Sequence, residues 1–214
     1  DDIIDADREA VIQDYNSQQV FNFLKTFALG KKAVTAWDCC AASGGKSILA
    51  YDTFYGKIDL TVSDIRESIL SNLKNRFETA GIKNYKSFIA DLTETDSPQG
   101  PADQLPTPDA QLIICDAPCT GSGTWSRTPE QLYYLKRKTI DVYVAMQQQI
   151  VSNVIPHLQT GGLFIYITCS VFKNENEDMV SFITKKFHLQ LLQMELLKGY
   201  DKKADSMFVA VFGK

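Results

Sequence analysis

The stretch Trp37–Ala50, WDCCAASGGKSILA, decides how this chain is read. It runs from a short apolar segment through Asp38, two cysteines and small residues to Gly44-Gly45-Lys46-Ser47. It then enters a helix-like apolar segment. A Walker-type phosphate loop needs a glycine, four residues and then Gly-Lys-Ser/Thr, because its backbone must wrap the phosphates closely. Counting back from Lys46, that first glycine position holds Cys40, so wrapping of this kind is not expected. The dinucleotide pattern G-x-G-x-x-G is also absent after the segment.

Working outward, short β-type runs alternate with helical ones. AVTAWDCC (33–40), KIDLTVSD (57–64), YKSFIAD (85–91), AQLIICD (110–116) and GGLFIYITC (161–169) read as strands. Helices are expected over residues 5–29 (a helical lead-in, with its apolar side at Val20, Phe21, Phe23, Leu24 and Phe27), 65–80 before Gly81, 129–157 and 174–187. LQLLQMELL (189–197) and SMFVAVFG (206–213) close the chain as two runs suited to a hairpin. Residues 93–109, with four prolines and no apolar period, are expected to form a long surface loop.

This alternation implies an α/β fold with a mainly parallel, doubly wound sheet and a C-terminal antiparallel hairpin, in one domain over 1–214. Ligands of such sheets sit at the carboxyl ends of the strands. Here those ends carry Asp38–Cys40, Asp64, Asp91, Asp116 and Cys169. A strand, an acid, small residues, Gly-Gly and a helix, followed by an acid after the next strand, suit S-adenosylmethionine. That cofactor has ribose hydroxyls to bind and no phosphate.

Bulk properties bound the remaining possibilities. The 214 residues, 44% hydrophobic and 22% charged, suffice for one substantial core. The longest apolar run, about residues 161–172, is too short for a membrane span, and the acidic start DDIIDADREA lacks a signal-peptide layout. Five cysteines at irregular spacing argue against a disulfide framework and for a reducing, cytoplasmic setting. No metal is expected: His157 and His188 stand alone, and zinc sites usually pair cysteines at closer spacing. A net charge of −4 is a caution against nucleic-acid binding, without excluding a local basic patch. LKRK (135–138) and KKF (185–187) are the best such patches, each read as a solvated helix face.

DCCAASGGKS resembles the D-x-C-A-A-P-G-G-K-T segment of the Sun-type RNA cytosine-5 methyltransferases, the ribosomal RNA methyltransferase B-like family. The likeness continues in order through VIQDYNSQQV (11–20), DAPCTGSGTWSRTPE (116–130) and YITCSVFKNENE (166–177). The resemblance implies a class I, Rossmann-like methyltransferase that binds S-adenosylmethionine and acts on RNA. Ribosomal RNA is the first expectation and transfer RNA the second. It also implies two working cysteines: Cys169 of TCS as nucleophile toward cytosine carbon 6, and Cys119 of APC assisting product release. Asp116 would contact the base, and Lys46 would favour a thiolate. Cys40, Ala41, Ala42, Ser43, Gly44, Gly45, Lys46, Asp64, Asp91 and Asp116 would bind the cofactor, with Asp64 on the ribose and Asp91 at the adenine. Arg127 and Pro129 would shape the base pocket, although Arg127 also suits a surface salt bridge.

Two departures, Ser43 for the usual proline and Thr120 for serine, remove no reacting atom. Family members usually carry an RNA-binding region beside this core, and little precedes residue 11, so a flanking or separate RNA-binding partner is expected. A non-catalytic RNA-binding protein that kept the fold is the alternative. Intact Cys119, Cys169, Asp116 and Lys46 argue against it.

Overall fold

The computed structural model describes residues 4–26, 33–94 and 108–214. Five strands, β1 (Val34–Asp38), β2 (Ile58–Asp64), β3 (Tyr85–Ile89), β4 (Ala110–Asp116) and β5 (Leu158–Thr168), run parallel to one another. The last two, β6 (Gln190–Leu197) and β7 (Met207–Gly213), pair antiparallel. The sheet order is β3-β2-β1-β4-β5-β7-β6, so β7 is inserted between β5 and β6 and runs against both. Helices α2 (Gly45–Thr53), α3 (Glu67–Thr79), α5 (Arg137–Val154) and α6 (Glu177–Phe187) cover the two faces.

The central strands are buried on both sides, and their alternating side chains feed two separate cores. Leu112, Ile114, Ile165, Ile167, Val209 and Val211 face the core shared with α2, α3 and the N-terminal segment. Their neighbours Ile113, Cys115, Phe164, Tyr166, Phe208 and Phe212 face the core shared with α5 and α6. A one-residue slip would exchange the two sets, so this pattern pins the register.

Three expectations need correction. The lead-in is helical only over α1 (Tyr15–Gln19), followed by a 3-10 turn at Val20–Thr26; residues 5–14 are irregular. Asp14 stops the helix from starting earlier, because its carboxylate caps the Asn16 and Ser17 N–H groups. The buried residues Val20/Phe23 and Phe21/Leu24 are three apart, the spacing a 3-10 helix stacks on one side. Phe27 lies outside the described residues. The expected helix 129–157 is interrupted: α4 (Glu130–Tyr134) ends at Leu135 and Lys136, both extended, before α5 begins. A 3-10 turn, Ile155–His157, closes it. No glycine or proline marks the break, which lets α5 pack Ile150, Val151 and Val154 on the sheet while α4 stays outside. Third, β5 begins at Leu158 and includes Gly161 and Gly162, which were expected to start it. Most of the 93–109 loop also lies outside the described residues. Among the described residues, no helix is long and apolar enough to cross a membrane.

Gly44 has φ of +85°, and a Cβ there would sit 2.8 Å from the Phe77 ring and 3.0 Å from Leu73. Both the left-handed backbone and the contact with α3 therefore demand glycine. Gly44→Ala should lower unfolding free energy by about 2–4 kcal/mol, combining backbone strain with forced repacking. Urea denaturation of the two proteins measures it.

Candidate active site

The strand order reverses between β1 and β4, and the cleft opens at their carboxyl ends. It encloses about 550 Å³ and is lined by Cys40, Ala42, Asp64, Asp91, Asp116, Cys119 and Cys169. Those seven expected site residues thus meet in one cavity, although they span 130 positions of sequence. Ala41, Ser43, Gly44 and Gly45 form the turn behind the lining. Ala41 donates to the Ser63 carbonyl, and the Ser43 carbonyl accepts from Arg76 at 2.9 Å. Gly45 begins α2, where its carbonyl accepts from Gln13.

At one end of the cleft, the Ala42 N–H donates to Asp64 Oδ2 at 3.0 Å. Arg66 grips the same carboxylate through Nε at 2.9 Å and Nη2 at 3.1 Å. Burial works against the Asp64 charge, but these partners outweigh it and hold its pKa below the ordinary carboxylate value. Asp91 accepts from the Thr93 N–H at 2.8 Å and from the Thr93 hydroxyl. Pro118, Tyr143, Met146 and Ile150 supply an apolar wall that the motif reading missed; only their contact with the cleft marks them.

At the other end, the loops after β4 and β5 bring the Cys119 and Cys169 sulfurs within 3.4 Å of each other. The two thiols shift in opposite directions. Hydrogen bonding from Cys119, aided by the Lys46 charge, lowers the Cys169 pKa against burial and Asp116. The same hydrogen bond and burial push Cys119 far up. The environment thus favours the thiolate form at Cys169 over Cys119. Lys46 is almost wholly buried rather than exposed at the helix start. Its Nζ sits 3.1 Å from Asp116 Oδ2 and 2.7 Å from the Ser17 hydroxyl, so the Q-D-x-x-S-Q segment reaches the site directly.

Glu175, fully buried, joins the two cysteine loops. Its carboxylate accepts from the Thr120 N–H at 2.8 Å, from the Thr120 hydroxyl at 2.6 Å and from the Ser170 hydroxyl. Each donor adjoins one of the cysteines in sequence. Gly123 seals the same junction: its N–H donates to the Cys169 carbonyl at 2.8 Å, and the Ser206 N–H donates to its own carbonyl. Any Cβ at Gly123 would strike the Ser206 carbonyl. Sequence reading quoted Glu175 within ENE but gave it no role, because its partners are distant in the chain.

Arg127 and Pro129 are not part of the cleft lining. Arg127 makes a two-pronged pair with Asp205 at 2.8 and 2.6 Å, and Pro129 leads into α4. The Cys39, Cys40 and Cys115 sulfurs lie within 4.8 Å of one another, a grouping that spacing did not reveal. The neighbouring thiols Cys39 and Cys40 draw the Cys115 pKa down, while burial pushes Cys39 well up. All five cysteines are free.

A seven-stranded sheet of this order, with an acid-rimmed cleft at its switch point, is the architecture of a class I methyltransferase. Residues 28–211 match the family described as 16S rRNA methyltransferase RsmB/F, and the chain belongs to that family. The ribosomal RNA small subunit methyltransferase B of Enterobacter sp. (strain 638) is 28% identical over 149 residues, 70% of this chain and 33% of its own length. That of Citrobacter koseri is 29% identical over 169 residues, 79% of this chain and 37% of its own. The chain spans about a third of the length of these curated relatives. Two solved structures share the fold. NSun6 from Pyrococcus horikoshii with SFG superposes with a TM-score of 0.81 at 22% identity, over 97% of this chain and 54% of that one. A methyltransferase homolog protein from Pyrococcus horikoshii gives a TM-score of 0.76 at 19% identity, over 97% and 69%.

Two measurements follow from the buried acids. Asp38, fully buried beside Ser47, is pushed from 3.8 up to about 7 by desolvation. Between those values the folded state holds a proton that the unfolded state has lost, so stability falls as pH rises through that window. Asp38→Asn should flatten this dependence in urea titrations at pH 5 and pH 7.5. Glu175→Ala removes the acceptor shared by Thr120, Ser170 and Gln147 and should cost about 3 kcal/mol. Glu175→Gln should lose less, and denaturant midpoints compare the two.

Proposed function

We propose that this chain is the catalytic part of an S-adenosylmethionine-dependent RNA methyltransferase that forms 5-methylcytosine through a covalent link to Cys169. The observation that carries this reading is the pair of sulfurs 3.4 Å apart, one shifted toward thiolate, in the same cleft as Asp116 and its Lys46 partner. Cytosine carbon 5 is a weak nucleophile. Addition of a thiolate to carbon 6 makes carbon 5 electron-rich enough to accept an electrophilic methyl group.

The cleft suits the cofactor, which would supply that methyl group. Its volume falls in the range of small-molecule sites, roughly 300–1,000 Å³. Cys40, Ala42, Asp64 and Asp91 would hold the nucleoside end. The partly exposed Arg66 now occupies Asp64, so ribose hydroxyls would replace a solvent-facing ion pair. The Ala42 N–H would keep the carboxylate oriented throughout.

In the reaction, the Cys169 thiolate adds to carbon 6 while Asp116, steadied by Lys46, contacts ring N3. Carbon 5 would accept the methyl group, the electrons of the broken methyl–sulfur bond staying with the departing thioether, and its proton would then pass to a base. The electron pair returns to the ring as the Cys169 sulfur leaves, with Cys119 assisting release. The target base must be single-stranded or extruded to reach Cys169. Ribosomal RNA is the substrate we infer, supported by the family's description and its relatives' names. Five free thiols suit a reducing compartment, and we place its work in the cytoplasm.

Cys169→Ala should abolish methylation while leaving cofactor affinity unchanged. Cys119→Ala, incubated with cellular RNA and S-adenosylmethionine, should accumulate an RNA–protein adduct that mass spectrometry maps to Cys169. Turnover by Cys169→Ala, or an adduct elsewhere, would overturn the assignment.

A further inference from the structure

We propose that the corner between α4 and α5, Leu132–Lys138, is the landing surface for single-stranded RNA flanking the target nucleotide; this rests on the functional reading above. Leu132, Tyr133 and Tyr134 are 64, 85 and 70% exposed, an unusual run of large apolar side chains in water. The two tyrosine rings lie edge to face, 5.2 Å between centroids, and cover nothing in the sheet. Immediately after them come Lys136, Arg137 and Lys138, all exposed and none in an ion pair with a described residue.

Read from sequence, LKRK is a solvated helix face. The structure adds that exposed aromatic rings and exposed cations share this one corner, at the junction of α4 and α5. Single-stranded nucleic acid is bound by this pairing, with aromatic faces stacking bases while cations follow the phosphates. Three consecutive cations beside two exposed rings, in a chain of net charge −4, favour a flexible polyanion that also offers flat faces to stack.

The position of the corner also fits. The loop carrying Cys119 leads through Pro129 into α4, and Tyr143 on α5 lines the cleft. Six residues separate Arg137 from Tyr143, about 9 Å along a helix, so nucleotides adjoining the target base can reach the patch. The extended pair Leu135–Lys136 turns α4 out of the packed layer and leaves its side chains in solvent.

The test uses a fluorescent twelve-nucleotide single-stranded RNA of uridines with one central cytosine, with binding followed by anisotropy. Tyr133→Ala/Tyr134→Ala should weaken binding about tenfold or more at fixed salt, as loss of base stacking does. Lys136→Gln/Arg137→Gln/Lys138→Gln should lower the slope of log affinity against log salt by about 2, at roughly 0.7 per phosphate contact. Thermal midpoint and S-adenosylmethionine affinity should be unchanged in both, since the substitutions are on the surface. Wild-type affinity and salt slope in both variants, or no binding by the wild type, would overturn the surface. The functional reading is checked separately with RNA bearing 5-azacytosine, whose nitrogen at position 5 has no proton to release. If the wild type forms a stable adduct while both variants bind normally, the surface fails and the Cys169 reading stands. No wild-type adduct counts against Cys169 alone, and the anisotropy then decides the surface.

Discussion

β4 is hydrogen-bonded to β1 on one side and to β5 on the other, all three parallel, and the site depends on this pairing. Because the strands run the same way, their carboxyl ends arrive at one rim. The register sets Asp38 level with Ile114, and Asp116 level with Ile167. The loop from β1 therefore meets the loops from β4 and β5, and Asp116 faces both Lys46 and the cysteine pair. The register is held by burial on both faces, since a slip would turn Phe164, Tyr166 and Phe212 toward the core that fits Ile165 and Val211.

Strand pairing alone brings two loops near each other without fixing two sulfurs at hydrogen-bonding distance. Buried polar contacts complete that step. Glu175 spans from Thr120 to Ser170, Gly123 binds the Cys169 carbonyl, and Asn176 accepts from Thr168 while donating to the Ser170 carbonyl. A buried carboxylate costs much when unpaired and is tolerated here because four donors, from Thr120, Ser170 and Gln147, converge on it. The two cysteine loops are thus tied together by a fully buried group that does not line the cleft.

The rim is crowded with charge: Asp38, Asp64, Asp116, Cys169 and Lys46 lie within one neighbourhood. Their fates differ according to their partners. Asp64 has Arg66 and a backbone N–H and stays ionised, whereas Asp38 has one hydroxyl and deep burial and takes up a proton. Lys46 offsets Asp116 and still biases Cys169 toward thiolate. One buried cation thus acts on both neighbours, by direct contact with the part-exposed Asp116 and through its charge on Cys169.

The strands were legible in the sequence because their apolar runs are continuous and end at turn residues and acids. The cleft residues Cys40, Asp64, Asp91, Asp116, Cys119 and Cys169 were legible because each ends or follows a strand, and Cys40, Asp116, Cys119 and Cys169 also fall in ordered motifs. Less legible were Glu175, the Cys39–Cys40–Cys115 grouping, the irregular stretch before Asp14 and the break at Leu135. By itself the sequence determined the strand–helix alternation and the residue types at each strand end, since periodicity and turn chemistry are local properties. The tertiary structure alone decided how close the two thiols come, which carboxylates are paired or left in deep burial and which tyrosines remain in water. Those outcomes depend on distance and burial between segments far apart in the chain, which no local pattern encodes.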